Sequence, residues 1–306
     1  MQLYYNMYNS RVRKLVADSC INLIKPYGKG SVETRMVQRS PDYLSLYVSS
    51  HSGCKMRCKF CWLTQQEQFS FDHVPVNGYV RQVDDILRES KIDFDERNGV
   101  RVNVNMMARG EPLANKHLVK GYPQLYDQLD RTIQSHGFSG TKINLSTIMP
   151  YTMKDYSLYS IFQDTPVTMF YSLYSLNPDF RKKWIPNGIP VEMALDKLAE
   201  FQQLTNNPVV FHWTLIEGEN DDPEECQQIV DLINCYGFDR TKFNLVRFNP
   251  HPKLADEYRE PTEEKMNQLF ELISDGMTED VPHQKSRIVP RVGYDAYVSC
   301  GMFAED

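Results

Sequence analysis

The sequence predicts an α/β fold, a partial (β/α)6 barrel of the TIM type with a short N-terminal extension. Segments with the period of a strand alternate with amphipathic helical segments along most of the chain, and such alternation indicates parallel strands joined by helical crossovers. The chain has 306 residues, 41% of them hydrophobic, which is enough to bury the core of one barrel. About six strand and helix units occur, not the eight of a closed barrel, so we expect an incomplete one.

The N-terminal region predicts a helix followed by β structure. Apolar side chains at near-helical spacing run from residue 7 to about residue 24, and we expect a helix there. β-rich segments follow at residues 31–38 and 43–49. We therefore expect two parts, an N-terminal helix and β extension over residues 1–40 and a barrel with a C-terminal tail over residues 41–306.

The rest of the chain alternates between the two kinds of segment. Residues 100–107 read Val-Arg-Val-Asn-Val-Asn-Met-Met, and this period of two predicts a strand. An amphipathic stretch around residues 80–87 precedes it. Further helices are expected at residues 119–136, 152–162, 191–205, 223–236 and 262–275, and further strands at residues 142–147, 167–173, 208–215, 242–248 and near 286–291.

Composition argues against several classes of protein. The chain contains no run of about 18 apolar residues, so no membrane-spanning helix is expected. The N-terminus lacks the basic-then-apolar order of a signal peptide, and we expect a cytoplasmic protein. The seven cysteines form an odd, unevenly spaced set, which argues against a disulfide framework. The net charge of −6 argues mildly against a surface coated for nucleic acid.

Three cysteines, Cys54, Cys58 and Cys61, fall within eight residues in the spacing C-x3-C-x2-C, directly after a predicted strand. An ordinary electron-transfer iron–sulfur cluster takes four thiolates, so three ligands leave one iron open, as in a catalytic metal site. A zinc ion held by these cysteines and a histidine such as His51 is the alternative, although structural zinc sites usually pair a close dyad with a distant one. A disulfide is disfavoured in a cytosolic chain.

Polar residues follow several predicted strands, and the carboxyl ends of barrel strands are where ligands bind. Strand 100–107 leads into Gly110, which permits close backbone approach, and Glu111, whose carboxylate can accept hydrogen bonds from an ammonium group. Small polar residues or an amide follow the other strands, namely Ser146, Ser172 with Leu173, and Asn249. Each alone is more typical of a turn, but together they predict one pocket.

The three-cysteine motif resembles that of the radical S-adenosylmethionine (SAM) superfamily. The resemblance implies a 4Fe-4S cluster on Cys54, Cys58 and Cys61, with SAM bound to the fourth iron and cleaved to a 5′-deoxyadenosyl radical. Further motifs occur in order from about residue 31 to the C-terminus, including Met-Ala-Arg-Gly-Glu-Pro, Leu-Ser-Thr, Phe-Asn-Pro-His-Pro and Val-Ser-Cys-Gly. This succession is similar to that of the RlmN and Cfr family, radical SAM methyltransferases of RNA adenine, and implies a radical SAM barrel.

The family resemblance also implies roles for single residues. Cys300 matches the cysteine that one SAM methylates and whose methyl group becomes the carbon radical that adds to adenine. This role agrees with a thiol nucleophile in a tail beyond the last predicted strand. Glu33 matches the family's proton acceptor. Gly110, Glu111, Ser146, Ser172, Leu173 and Asn249 match its contacts to SAM. The implied partners are RNA or a nucleotide-like substrate and an electron donor such as flavodoxin or ferredoxin, with no membrane.

The sequence departs from the family pattern at three places. Tyr47 stands seven residues before Cys54, where the family methyltransferases carry a second cysteine that releases the product through a disulfide. Tyrosine cannot take part in thiol–disulfide exchange. Tyr174 stands where the family has histidine. With 53 residues ahead of Cys54, we expect the N-terminal RNA-binding domain of the bacterial enzymes to be largely absent.

Three functions therefore stay open. The first is methylation of adenine, in RNA or in a nucleotide-like substrate, through a methylated Cys300, with Cys20, Cys226 or Cys235 replacing the missing thiol if one lies near the barrel mouth. The second is a radical SAM reaction with altered, non-methyltransferase chemistry because Tyr47 stands at the position of the second cysteine. The third is a non-catalytic iron–sulfur or zinc protein that binds nucleic acid.

Overall fold

A computed structural model describes residues 12–17, 19–277 and 285–305 of the chain. They form one ten-stranded sheet whose strands lie side by side in chain order. The strands are β1 (Arg13–Ala17), β2 (Cys20–Tyr27), β3 (Gly30–Ser40), β4 (Tyr43–Tyr47), β5 (Arg101–Met106), β6 (Thr141–Thr147), β7 (Thr168–Ser172), β8 (Val209–Trp213), β9 (Thr241–Val246) and β10 (Arg287–Val289). Neighbours from β1 to β4 pair antiparallel, and neighbours from β4 to β10 pair parallel.

Helical crossovers join each parallel strand to the next, as parallel pairing requires. The helices are α1 (Trp62–Gln65), α2 (Val76–Leu87), α3 (Lys116–Ser135), α4 (Leu158–Phe162), α5 (Pro178–Trp184), α6 (Val191–Thr205), α7 (Pro223–Cys235) and α8 (Glu263–Gly276). The edges of the sheet are β1 and β10, so the barrel is open. The predicted fold class, an α/β partial barrel, is confirmed.

The two faces of β5 differ in polarity, because successive side chains alternate. Val102, Val104 and Met106 of β5 pack in the main hydrophobic core. Asn105 between them faces the other way and accepts a hydrogen bond from Nδ2 of Asn144 in β6, at 2.8 Å. An inner face with amides differs from the branched apolar filling of a closed TIM barrel, and it leads to the polar residues at the carboxyl ends of the strands.

The cap of α3 ties this helix to the loop after β4. The side chain of Asn115 accepts hydrogen bonds from the amides of His117 at 2.8 Å and Leu118 at 3.1 Å, which pairs donors that the first turn of a helix leaves unsatisfied. Its Nδ2 donates to the carbonyls of Ser50 at 2.6 Å and Val74 at 3.0 Å. A residue that begins an outer helix therefore also fixes the segment ahead of the three cysteines.

The predicted helix over residues 7–24 is wrong where the structure describes it. Residues 7–11 and 18 lie outside the described part of the chain, and β1 and β2 form an antiparallel pair in the remainder. Apolar residues of β2 are buried on both faces: Ile21 and Leu23 in the main core, and Cys20 against the C-terminal residues Ala296 and Val298. A strand covered on both faces gives a continuous apolar run, which periodicity alone does not distinguish from a helix.

The other expected elements are found in place, with ends shifted by a few residues, as is usual for sequence-based boundaries. The helix expected at 152–162 is divided into a 3-10 turn, Tyr151–Met153, and the short α4. The boundary expected after residue 40 falls at the end of β3, inside the continuous sheet. In the described part of the chain, none of the helices combines the length and the apolar character needed to cross a bilayer.

Candidate active site

The loop after β4, residues 48–61 and called the thiol loop below, carries the three clustered cysteines. Backbone hydrogen bonds fix its course: the amide of Ser50 donates to the carbonyl of Arg109 at 2.8 Å, and that of Cys54 donates to the carbonyl of Gln68 at 2.9 Å. Gly53 lies close to the backbone of Ser70, and an added Cβ would stand 2.3 Å from the carbonyl oxygen of Ser70. The loop is therefore held on both sides by the protein itself.

The three thiols of this loop lie in a desolvated environment. Cys58 is buried, and Cys54 and Cys61 are half-buried. Burial raises the pKa of Cys54 to about 12 and that of Cys61 to about 11. Burial, with the charges of the other two cysteines, raises the pKa of Cys58 well above its ordinary value. Three thiolates this close together need cations to offset their charge, and a thiol that binds a metal loses its proton.

The surroundings fit an iron–sulfur cluster better than a single zinc ion. Among the described residues, no three His, Cys, Asp or Glu side chains are grouped closely enough for one ion. His51 is engaged elsewhere, because its Nδ1 lies 2.9 Å from Oγ of Ser50 and its Nε2 lies 3.1 Å from Nδ1 of His73. Cysteine thiolates are the ligands of iron–sulfur clusters, so Cys54, Cys58 and Cys61 would hold three irons of a 4Fe-4S cluster.

Gly110 and Glu111 lie directly beside the thiol loop. Gly110 has φ +93°, and an added Cβ would stand 2.5 Å from Nδ1 of His51, so only glycine fits. Glu111 is buried and accepts hydrogen bonds from the amides of Leu113 and Ile148, each at 3.1 Å. Burial raises the pKa of Glu111 to about 7. Its charge in turn helps to raise the pKa values of Cys54 and Cys58, which places the carboxylate near the thiols.

The ends of β6 and β7 bring polar groups to the same edge. Ser146 is half-buried and pairs with Phe170 in the register of β6 and β7. Ser172 is buried at the end of β7, and the amide of the buried Leu173 donates to the carbonyl of His212 at 3.1 Å. Both serines therefore lie where the sequence predicts a ligand pocket, whereas Leu173 contributes an apolar side chain and its backbone.

Tyr174 links the thiol loop to the tail. It is buried, and the polar side chains of Ser172 and Thr214 act on its hydroxyl to lower its pKa. Its pKa is raised, chiefly by burial and in part by the neighbouring thiols of Cys58 and Cys300. The side chain that replaces the family's histidine thus lies close to both a clustered cysteine and the tail cysteine.

Asn249 joins the C-terminal tail to the thiol loop. Its Nδ2 donates to the carbonyl of Cys300 at 3.0 Å, and its own carbonyl accepts from Nε1 of Trp62 at 2.9 Å. The amide of Trp62 donates to the carbonyl of Gly301 at 2.9 Å. Cys300 itself is an exposed residue, with its carbonyl bonded to Asn249.

Glu33 lies in β3 with its carboxylate wholly buried. The carboxylate accepts hydrogen bonds from Arg35, Arg109 and Asn22, at 2.8, 3.0 and 3.0 Å. Burial by itself would raise the pKa of Glu33, but the charges of Arg35 and Arg109 outweigh it, and the pKa lies below its ordinary value. A carboxylate with these partners is a weak base.

The structure separates the three cysteines that could replace the missing thiol. Cys226 and Cys235 belong to the outer helix α7. Cys20 lies in β2 and packs with Val298 of the tail, in a cluster that Tyr47 also contacts. Of the three, Cys20 lies beside the tail.

Sequence reasoning missed the arginines and the asparagine around Glu33. Arg109 stands in a motif already singled out, next to Gly110, and that position is a usable signal. No sequence signal marked Arg35 or Asn22. Asn22 fell within a predicted helix, and Arg35 within a β-rich segment.

The family model of the radical SAM superfamily matches residues 48–233. The dual-specificity RNA methyltransferase RlmN of Syntrophobacter fumaroxidans is 30% identical over 226 residues, which are 72% of this chain and 60% of that protein. The probable RlmN of Gloeobacter violaceus is 28% identical over 290 residues, 93% of this chain and 74% of that protein.

A solved structure has the same fold. The crystal structure of a radical SAM methyltransferase from Sphaerobacter thermophilus superposes with a TM-score of 0.73 at 20% identity, and the match covers 95% of this chain and 80% of that one. The family match spans more than half of this chain and includes Cys54, Cys58, Cys61, Gly110 and Glu111. The chain therefore belongs to the radical SAM superfamily, and the relatives and the solved structure that it resembles are methyltransferases of that superfamily.

Proposed function

We propose that this protein is a radical SAM methyltransferase that acts on adenine, in RNA or in a nucleotide-like substrate, through a methylated Cys300. The contact between the tail and the thiol loop carries the proposal: Trp62, directly after Cys61, donates its amide to the carbonyl of Gly301 at 2.9 Å. A thiol on Cys300 and a cluster on the thiol loop would then face the same space.

Different residues at the barrel mouth would bind the cluster and SAM. Cys54, Cys58 and Cys61 hold the cluster, which when bound supplies the electron that turns SAM into a source of a carbon radical. Glu111 accepts hydrogen bonds from the ammonium group of SAM, because it is an acidic group buried beside the thiol loop. Gly110 lets the backbone approach the ligand, and Ser146, Ser172, Leu173 and Asn249 form the rest of the pocket.

Loading of Cys300 is a simple displacement. The thiolate of Cys300 attacks the methyl carbon of SAM, the bond between that carbon and the sulfonium sulfur breaks with its electron pair, and S-adenosylhomocysteine leaves. The thiol proton passes to water, since Cys300 is exposed. A thiolate is the nucleophile that such a transfer needs.

RNA as the substrate is supported by the relatives' names and by a cleft next to the thiol loop. This cleft of about 430 Å³ is lined by Phe71, His73, Lys116 and His117 among others. Nζ of Lys55, in the thiol loop, lies 5.0 Å from the ring centre of Phe71. Aromatic rings on which bases stack, together with cations that contact phosphates, are typical of single-stranded nucleic acid sites.

An electron donor is a further partner of the proposed enzyme. Lys55 and Arg57 are exposed on the thiol loop, and Lys59 is half-exposed. An acidic carrier such as flavodoxin or ferredoxin would be attracted to these charges. We place the reaction in the cytoplasm, where thiols stay reduced.

Tyr47 favours a second candidate function, a radical SAM reaction with altered, non-methyltransferase chemistry. Tyr47 pairs with Arg35 and Asn105 in the sheet, at the place of the family's second cysteine. With a tyrosine there, a covalent adduct on Cys300 is not released by disulfide formation at this position.

The deciding experiment is an anaerobic assay of the reconstituted protein with reductant, SAM, and either RNA or free nucleotides. Methyladenine in the digested nucleosides, together with a methyl group on Cys300 in the protein, supports the first function. Formation of 5′-deoxyadenosine with an unmodified Cys300 supports the second. Zinc in place of iron, with no 5′-deoxyadenosine, contradicts both and leaves a non-catalytic nucleic-acid-binding protein.

Matched cysteine variants sharpen this assay. Cys300→Ser removes the thiol at the barrel mouth, and we expect methyladenine to vanish while 5′-deoxyadenosine is still formed. Cys235→Ser removes another exposed cysteine, at the end of α7, and we expect full activity. Equal loss in both variants contradicts the carrier role of Cys300.

A further inference from the structure

The C-terminal tail, residues 296–305, is held against the sheet by buried polar side chains from β2, β3 and the loop after β5. Three of these side chains donate to tail carbonyls: Asn22 to Ala296 at 2.9 Å, Arg35 to Met302 at 2.6 Å and Arg109 to Ala304 at 2.6 Å. Two guanidinium groups and one amide therefore grip the tail by its backbone, whatever its side chains are.

Glu33 is the counter-charge of this group. Its Oε1 accepts from Nε of Arg109 and from the amide of Ala304, both at 3.0 Å. Its Oε2 accepts from Nη2 of Arg35 at 2.8 Å and from Nδ2 of Asn22 at 3.0 Å. A carboxylate offers about four lone-pair sites, so the acceptor capacity of Glu33 is filled by donors that hold the tail.

Arg109 connects the tail to the thiol loop. Its carbonyl accepts from the amides of Ser50 at 2.8 Å and His51 at 3.2 Å. Its side chain also donates a hydrogen bond to the side chain of Gln68. The backbone carbonyl of Gln68 accepts a hydrogen bond from the amide of Cys54 at 2.9 Å. Arg109 thus contacts both the tail and the thiol loop, and Gly110 is the next residue in the chain.

We propose that Glu33 is a positioning residue: with Asn22, Arg35 and Arg109 it anchors the tail and so holds Cys300 above the thiol loop. Cys300 lies between the anchored carbonyls of Ala296 and Met302, and motion of either anchor moves it. The role in presenting Cys300 rests on the proposed function, whereas the anchoring of the tail does not. This anchor and the proton acceptor that the family resemblance implies predict different behaviour of a Glu33 variant.

The test compares Glu33→Gln with the unaltered protein, both loaded with the cluster. Glutamine keeps the size of the side chain, removes the charge and replaces one acceptor oxygen by a donor. We expect hydrogen–deuterium exchange of the tail amides to become at least about tenfold faster, because local opening sets that rate. We also expect methylation of Cys300 by SAM to slow at least about tenfold, since positioning dominates such a transfer, while 5′-deoxyadenosine is still formed.

A second variant keeps the buried charges intact. Ala304→Pro removes the backbone N–H that donates a hydrogen bond to Glu33 at 3.0 Å. The side chains of Glu33, Arg35 and Arg109 are unchanged. This variant gives the test if Glu33→Gln fails to fold, and we expect the same faster exchange and slower methylation. Asp84→Asn is the matched control, because Asp84 also bonds two basic side chains, Arg88 and His136 at 2.8 Å each, but lies on the outer helix α2.

Each outcome decides between anchor and base. Tail exchange that stays unchanged in both variants overturns the proposal. A Glu33→Gln protein with normal tail exchange and a normally methylated Cys300, but with no transfer to adenine, supports the proton acceptor instead. If Cys300 is never methylated in the unaltered protein, the proposed function fails, and the exchange measurement alone still decides whether Glu33 anchors the tail.

Discussion

Two buried glutamates near the thiol loop have opposite acid–base behaviour. Burial tends to raise the pKa of both. For Glu33 the charges of Arg35 and Arg109 outweigh burial, and its pKa falls below the ordinary value. For Glu111 the hydrogen bonds from Thr147 and from the amides of Ile148 and Leu113 offset burial only in part, and its pKa rises to about 7.

The difference shows that the charge of the partners, not the depth of burial, decides what a buried carboxylate is suited for. Glu33 has its cations within the protein, and they hold its pKa below the ordinary value, which suits an anchor. Glu111 is surrounded by neutral donors, and an incoming ammonium group would restore its ionised form. Arg109 and Glu111 are two residues apart in the chain, so one loop serves both purposes.

The largest expected effect is loss of stability in Glu33→Gln. Removing one partner of a buried ion pair leaves uncompensated charge, here two guanidinium groups, and typically lowers the free energy of unfolding by about 3–5 kcal/mol. Urea denaturation followed by circular dichroism measures it. The control Asp84→Asn removes a partly exposed ion pair and should lose less than about 1 kcal/mol. Similar losses in the two variants would remove the contrast between buried and exposed pairs.

A smaller effect is the pH dependence that Glu111 adds. Its pKa rises from 4.5 to about 7 on folding, so the folded protein binds the proton more tightly than the unfolded chain. The stability of the metal-free protein therefore falls as pH rises from about 4.5 to about 7, by ~3 kcal/mol at 1.36 kcal/mol per pKa unit. Urea midpoints across this range measure the fall, and Glu111→Gln should abolish it.

Glu33 contributes with the opposite sign. Its folded pKa lies below the ordinary 4.5, so its stabilising contribution is present above pH 4.5 and is lost as pH falls through the lowered pKa. A Glu111→Gln protein that still loses stability between pH 4.5 and pH 7 would show that another group, and not Glu111, carries the dependence.

The sequence predicted the barrel and most of its mouth because these depend on local pattern. The period of two in residues 100–107 and the spacing of Cys54, Cys58 and Cys61 are properties of short segments, and each lies in the expected element. The strand ends with Gly110, Glu111 and Ser146 follow from topology, since parallel strands bring their carboxyl ends to one edge.

The N-terminal hairpin and the anchor of the tail depend on contacts between distant segments. Cys20 and Ile21 are buried on opposite faces of β2, one against the tail and the other in the main core, and periodicity does not show that. Glu33 and Ala304 are 271 residues apart along the chain. No local pattern marks a carboxylate whose partners are this far away, so its surroundings had to come from the structure.

The smallest expected effect concerns Tyr174, a neutral counterpart of the two glutamates. Tyr174→Phe removes a buried hydroxyl on which the polar side chains of Ser172 and Thr214 act, and the free energy of unfolding should fall by about 1 kcal/mol. Tyr79→Phe is the control, because the buried hydroxyl of Tyr79 has no hydrogen-bond partner among the described residues. Removing it should be neutral or stabilising. If urea denaturation shows equal losses of stability in the two variants, the polar neighbours of a buried hydroxyl do not determine its contribution to stability. The influence of partners seen for the two glutamates would then apply to charged groups alone.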